Sequence, residues 1–216
     1  MKLTIEEIWD QGDATVWSQA LSHYWTAVKP QNMAVEKEME QLIPSTVATM
    51  DVDTFYRWLR DKYFLWKYTA ANRLASTRKQ LEKHEIDRAA HLELGRIHTS
   101  LFTFDKQNPL IGLELGQQIH GLGVAGASGL LAVLFPQYFG TVDQFVVVEL
   151  RRLRQYQFSA GLPQKQRKDG TYTIRSTHAA FIIHEYRKKA RELNTKFKTD
   201  HWTPRKIDMV LWAIRS

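Results

Sequence analysis

The chain has 216 residues, 44% hydrophobic and 25% charged, which is enough for one generous domain or two small lobes and typical of a globular protein. No apolar run reaches the roughly 20 residues needed to cross a bilayer, and the acidic start Met1-Lys2-Leu3-Thr4-Ile5-Glu6-Glu7 does not resemble a signal peptide, so a cytoplasmic or nucleoid-associated protein is expected. The lack of cysteine excludes disulfides, thiol nucleophiles and cysteine-held iron–sulfur clusters. The net charge is +7, and 16 Lys/Arg against 5 Asp/Glu fall in 151–216, so this third carries +11 and the first 150 residues carry −4. Such segregation fits either a polyanion binder or a solvated basic surface.

Helical periodicity dominates the chain order. Asp13 is positioned to cap a helix bearing Trp17, Leu21, Tyr24 and Val28 on one face, ended at Lys29-Pro30. A second helix is expected over Met33 to Ile43, stopped at Pro44. The segment from Asp53 to Tyr68 is aromatic-rich, and Ile86, Ala90, Leu94, Ile97 and Leu101 form another apolar stripe. His84, His91 and His98 recur every seven residues. Seven residues rise about 10 Å along a helix, too far for two of them to share a metal, so they are expected as a polar stripe and no metal site is expected. Phe104 to Pro109 breaks the pattern before a Gly-rich unit. Beyond it, Phe145 to Phe158 reads as a helix, although Val146-Val147-Val148 also suits a strand. Gly161-Leu-Pro and Lys168-Asp-Gly-Thr mark a polar loop, with a small β-hairpin possible. A long basic helix follows over Arg175 to Phe197. The last helix starts with Thr203 as cap and Pro204 in its first turn, and carries Ile207, Val210 and Leu211 on one face. Trp17, Trp25 and Trp212 fall on apolar stripes and are expected in the core.

The most informative stretch runs from Ile119 to Asp143: a small-residue turn (Gly121-Leu122-Gly123), an apolar helix, and a carboxylate beyond a Pro/Gly-punctuated loop. Glycines allow backbone conformations closed to other residues, and the first amides of a helix together with its dipole suit a phosphate. The segment resembles the helix-hairpin-helix motif of DNA glycosylases, whose hairpin reads apolar-x-Gly-apolar-Gly-x-x-x-Ala and is followed by an essential Asp. Ile119, Gly121, Leu122, Gly123 and Ala127 fill the hairpin positions, and Asp143 falls where that Asp falls in the adenine-excising branch. Trp66-Lys67-Tyr68 with Asn72-Arg73, and Ile207 to Trp212, resemble stretches of small helix-hairpin-helix proteins.

The resemblance implies an all-α, two-lobed, glycosylase-like helical bundle, with 1–30 plus 145–216 as one lobe and 31–144 as the other. It implies that Gly121, Leu122, Gly123, Val124 and Ala125 hold a phosphate of double-stranded DNA, with a monovalent cation possible at the hairpin and no other cofactor. It also implies that Asp143 stabilises the sugar cation formed during base excision or activates water. The bifunctional branch places a nucleophilic lysine where this chain has Ala125, so any excision would be monofunctional. Arg151, Arg152 and Arg154, with Arg187, Lys188, Lys189 and Arg191, are candidate phosphate contacts. The alternatives left open are a non-catalytic DNA binder on the same scaffold, Asp143 being only a helix cap, and a helical protein-interaction module. Whether the chain is an enzyme stays open at this stage.

Overall fold

The computed structural model describes residues 4–215 and divides them into two compact units: residues up to Val28 with those from Pro136 onward (unit 1), and Lys29–Phe135 (unit 2). The architecture is an all-α bundle. Among the described residues the only β pairing is an isolated bridge, Gln166 to Tyr172, and no helix is long and apolar enough to cross a membrane.

In chain order, α1 spans Ile5–Gln11, α2 Ala14–Ala27, α3 Met33–Glu40, α4 Pro44–Ala48, α5 Val52–Trp58, α6 Phe64–Lys67 and α7 Ala71–Leu81. Then come α8 (Lys83–Ile86), α9 (Arg88–Thr103), α10 (Pro109–Gln118), α11 (Val124–Leu134), α12 (Gln144–Arg152), α13 (Ser176–Phe197) and α14 (Pro204–Ala213).

Unit 1 is built on α2, α13 and α14. Asp13 accepts the Val16 amide at the start of α2, and Thr203 accepts the Lys206 amide at the start of α14, with Pro204 in the first turn. Trp17 is fully buried and meets Trp202 edge-on at 5.4 Å. Trp25 and Trp212, expected in the core, are only partly covered. Residues 136–144 pack here rather than with the segment before them, because Tyr186 donates its hydroxyl to the Thr141 carbonyl and Arg187 its Nε–H to the Tyr138 carbonyl, each at 2.8 Å.

Val146 to Val148 lie in a helix, since Asp143 caps α12 and Val146 and Val147 fill the core. That helix stops at Arg152, not Phe158. From Leu153 the chain leaves helical geometry, and its carbonyl collects the amides of Tyr156 and Gln157 in a turn.

Unit 2 centres on α11, which is buried on all sides from Gly126 to Leu134, as expected of a helix without a polar face. A π turn over Leu59–Tyr63 joins α5 to α6 and brings successive aromatic rings inward. The expected 86–101 stripe begins late. Asp87 caps α9 by accepting the Ala89 and Ala90 amides, so Ile86 belongs to the preceding short helix and is exposed. The three histidines therefore share no helix face: His84 and His98 are buried, and His98 Nε2 meets the Val47 carbonyl at 2.9 Å.

Candidate functional site

In unit 2, α10 and α11 are joined by a tight turn over Ile119–Gly123. The helices approach closely because a Cβ on Gly116 would stand 2.8 Å from that of Ala127. The two glycines of the turn do different work. Gly121 has φ +91°, and an added Cβ would lie 2.6 Å from the Thr77 carbonyl oxygen on α7. Gly123 has ordinary extended geometry, with φ −87°, and a Cβ there would meet nothing within 4 Å. Leu122 between them is buried and anchors the turn, while Gly123 is exposed and Val124 and Ala125 are partly so.

Gly123 is the N-cap of α11 and supplies no side-chain acceptor, so the first amides of an 11-residue helix point outward uncapped. The macrodipole adds partial positive charge there. Amides and dipole together can hold an anion that comes right up to the backbone at Gly123.

Three side chains that the sequence did not single out for a role fix this turn. The Tyr68 hydroxyl donates to the Gly121 carbonyl at 3.0 Å, and the Tyr63 hydroxyl to that of Gly126. Burial pushes the Tyr68 phenol up to about 12, with nearby Arg73 pulling it down, so it remains a donor. His84 accepts the His120 amide on Nε2 at 2.9 Å, while its Nδ1 faces the Ala90 carbonyl at 2.8 Å. This pattern assigns a neutral imidazole carrying its proton on Nδ1. Tyr68 was within reach of sequence reading, through its place in Trp66-Lys67-Tyr68. His84 was not, because its partner lies 36 residues away.

Burial lowers the His84 pKa from 6.5, and the charges of His120 and His91 lower it further, against the Ala90 hydrogen bond and Glu93, which raise it. A depressed folded value means that the stability tied to neutral His84 is complete above about 6.5 and is lost as pH falls below it. His84→Ala should cost about 2 kcal/mol by leaving the His120 amide unpaired. It should also flatten the fall in stability between pH 7 and 5, as read from urea midpoints. An unchanged pH slope would remove His84 from this role.

In unit 1, Asp143 is the N-cap of α12. Its Oδ1 accepts the amides of Phe145 and Val146 at 3.0 and 3.2 Å, and its Oδ2 has no hydrogen-bond partner among the described residues. Two residues earlier, the Thr141 amide donates to Oδ2 of buried Asp208 at 2.6 Å, and Arg205 reaches both Asp208 oxygens at 3.1 and 3.2 Å. Burial pushes the Asp208 carboxyl up to about 6; Arg205 and the Thr141 amide pull it down, and the charge of Asp143 adds to the rise. The Arg215 guanidinium lies over the Phe145 ring at 5.2 Å and also feels the Asp143 charge. A carboxylate that caps a helix through one oxygen keeps a second oxygen with which it can face a developing cation or a water molecule.

The basic candidates separate by environment. Arg187 and Lys189 are buried and structural: Arg187 lies over the Phe139 ring, and Lys189 donates to the Trp9 carbonyl and pairs with Glu192. Arg152 pairs with buried Glu149 at 3.0 Å. Arg151 donates to the Pro163 carbonyl and lies over Tyr172. Lys188, Arg154 and Arg191 are exposed. The turn residues 121–125 belong to unit 2, and Asp143 with all the basic candidates to unit 1. No family model, no curated protein and no solved structure matches the chain.

Proposed function

We propose that the chain is a DNA-binding protein of helix-hairpin-helix type that grips the phosphodiester backbone of duplex DNA with the turn at 121–125. The observation that carries this reading is the contrast within the turn: Gly121 is required by the fold, whereas Gly123 faces open space at the uncapped start of α11. A phosphate would sit on the amides of Gly123, Val124 and Ala125 without regard to base sequence. The Ile119 and Gly121 carbonyls already accept one hydrogen bond each, and as neutral oxygen donors they suit a loosely held monovalent cation beside that phosphate.

Gly123→Leu is the direct test. It places bulk only where a ligand would come, so binding of a 20-base-pair duplex should weaken at least tenfold. Stability should change by no more than about 1 kcal/mol, the scale of a helix-cap substitution. Unchanged affinity would sink the reading.

We further propose monofunctional base excision, with Asp143 Oδ2 facing the sugar cation and no lysine at position 125 to cleave the strand. Asn caps helices as well as Asp does, so Asp143→Asn should keep the fold and the DNA affinity. It should lose the preference for a duplex carrying a cationic pyrrolidine abasic analogue. A wild-type protein that binds damaged and undamaged duplexes equally would leave Asp143 as a cap alone, on a non-catalytic DNA binder.

A further inference from the structure

A second feature, wholly within unit 1, has no part in the reading above. Between α12 and α13 the chain folds into an open groove of about 610 Å³, lined by Leu162, Lys165, Arg167, Thr173, Arg175 and His178 among others. Leu162 and Pro163 are buried beneath it, while Gln164, Lys165, Arg167 and Arg175 stand exposed around it. From 163 to 178 the chain holds four Lys/Arg against one carboxylate, Asp169. That carboxylate is turned to its own loop, with Oδ1 accepting the amide and hydroxyl of Thr171. The excess positive charge therefore faces outward.

The groove is braced from beneath. Arg151 donates to the Pro163 carbonyl at 3.2 Å and covers the Tyr172 ring, Arg167 Nε donates to the Thr173 hydroxyl at 2.9 Å, and Gln166 pairs with Tyr172 across the turn. The side-chain amide of Gln144 clamps the Tyr172 peptide on both sides, accepting its N–H at 2.6 Å and donating to its carbonyl. Gln144 is the first residue of α12, directly after Asp143. The clamp thus ties the basic loop to the helix end that carries the candidate carboxylate.

We propose that this groove is a nucleic-acid contact in its own right, holding a stretch of DNA strand by its phosphates on the exposed Lys165, Arg167 and Arg175. Three exposed cations around one groove, with the one nearby carboxylate held by its own loop, match a strand that carries a phosphate at every nucleotide. Gln164 is taken up by its own loop, its side-chain amide donating to the Ser159 and Leu162 carbonyls, so recognition here falls to the cations and reads the strand's phosphates rather than its bases. The proposal stands on unit 1 alone and does not require the 121–125 turn to bind anything.

The test is the salt dependence of binding for the full chain, measured by anisotropy with a single-stranded 20-mer and its duplex. Lys165→Glu/Arg175→Glu is compared with Lys37→Glu/Lys198→Glu, an equal charge change at two exposed lysines outside the groove. The groove variant should weaken DNA binding at least tenfold. The slope of log K against log salt should flatten by roughly 0.7 to 0.9 per lost phosphate contact. Lys165→Arg/Arg175→Lys should keep both affinity and slope, and circular dichroism should match wild type throughout. Stronger weakening for the single strand than for the duplex would mark the strand-holding mode.

Three results would overturn the proposal: an unchanged slope in the groove variant, a loss no larger than that of Lys37→Glu/Lys198→Glu, or equal competition by a poly-glutamate peptide of the same charge. The two sites also fail separately. Loss of binding in Gly123→Leu but not in the groove variant overturns the groove; the converse supports the groove and overturns the turn.

Discussion

Gly121→Ala is expected to destabilise the chain by about 3 kcal/mol, whereas Gly123→Ala, two residues on, should cost no more than about 1. At Gly121 two penalties combine. A side chain at φ +91° carries roughly 1–2 kcal/mol of backbone strain. The new Cβ would also press on the Thr77 carbonyl oxygen at 2.6 Å and the Phe64 ring at 3.0 Å, an overpacking cost of about 1–3 kcal/mol. Neither obstacle yields easily, because Thr77 belongs to α7 and Phe64 is fully buried. At Gly123 the backbone is ordinary and the space is open, so only the small difference between Gly and Ala as helix caps remains. Urea titration of both variants, followed by tryptophan fluorescence, measures the contrast. Equal midpoints would mean that the turn does not hold Gly121 in its left-handed geometry. Because Gly123 is dispensable to the fold, a binding defect there reports on the ligand rather than on stability.

Where structure is set locally, the sequence was readable. Asp13, Thr203 and Pro204 announce helix starts through bonds spanning three residues, and the long period of α13 needs no distant partner. Where structure depends on distant partners, it was not. Lys189 looks like part of a solvated basic run until the Trp9 carbonyl, 180 residues away, captures its ammonium. Arg187 is likewise committed to a carbonyl 49 residues back. Each also sets its charged tip over an aromatic ring, Arg187 over Phe139 and Lys189 over Trp9, which favours the inward position of a cation already hydrogen-bonded there. The histidine period misled for the opposite reason. A local signal, the Asp87 cap, breaks the helix between His84 and His91, and seven-residue spacing loses its meaning across that break. The turn itself was legible in composition, but the unequal roles of its glycines were not. They depend on what lies opposite each one: the carbonyl of Thr77 in one case and open space in the other.

The largest single effect is expected at the Arg205–Asp208 pair. Both residues are buried, Arg205 at 5% and Asp208 at 2% exposure, and Arg205 also donates to the Tyr24 hydroxyl at 3.1 Å. Arg205→Met strands a buried carboxylate and should cost about 3–5 kcal/mol at neutral pH. The pH dependence has a definite sign. Asp208 already sits at about 6, above its ordinary 3.8, because burial disfavours its charge, and losing the cation that pulls it down must raise it further. A group raised in the folded state gives its full stability below 3.8 and loses it as pH rises through the folded value. The penalty of Arg205→Met should therefore be small near pH 4 and grow towards pH 7, the reverse of the His84 contribution, which is lost as pH falls. Adding Asp208→Leu removes the stranded charge and should recover most of the loss, since an apolar pair of similar size tolerates this environment. Denaturation midpoints of the single and double variants at pH 4.5 and 7.5 decide the matter. A penalty independent of pH would mean that Asp208 does not carry the effect. The double variant also separates stability from placement. It restores the core but leaves the Thr141 amide, two residues before Asp143, without the Asp208 carboxylate that holds it at 2.6 Å. If Asp143 acts on a sugar cation, this variant should fold and bind DNA while losing its preference for the cationic abasic analogue.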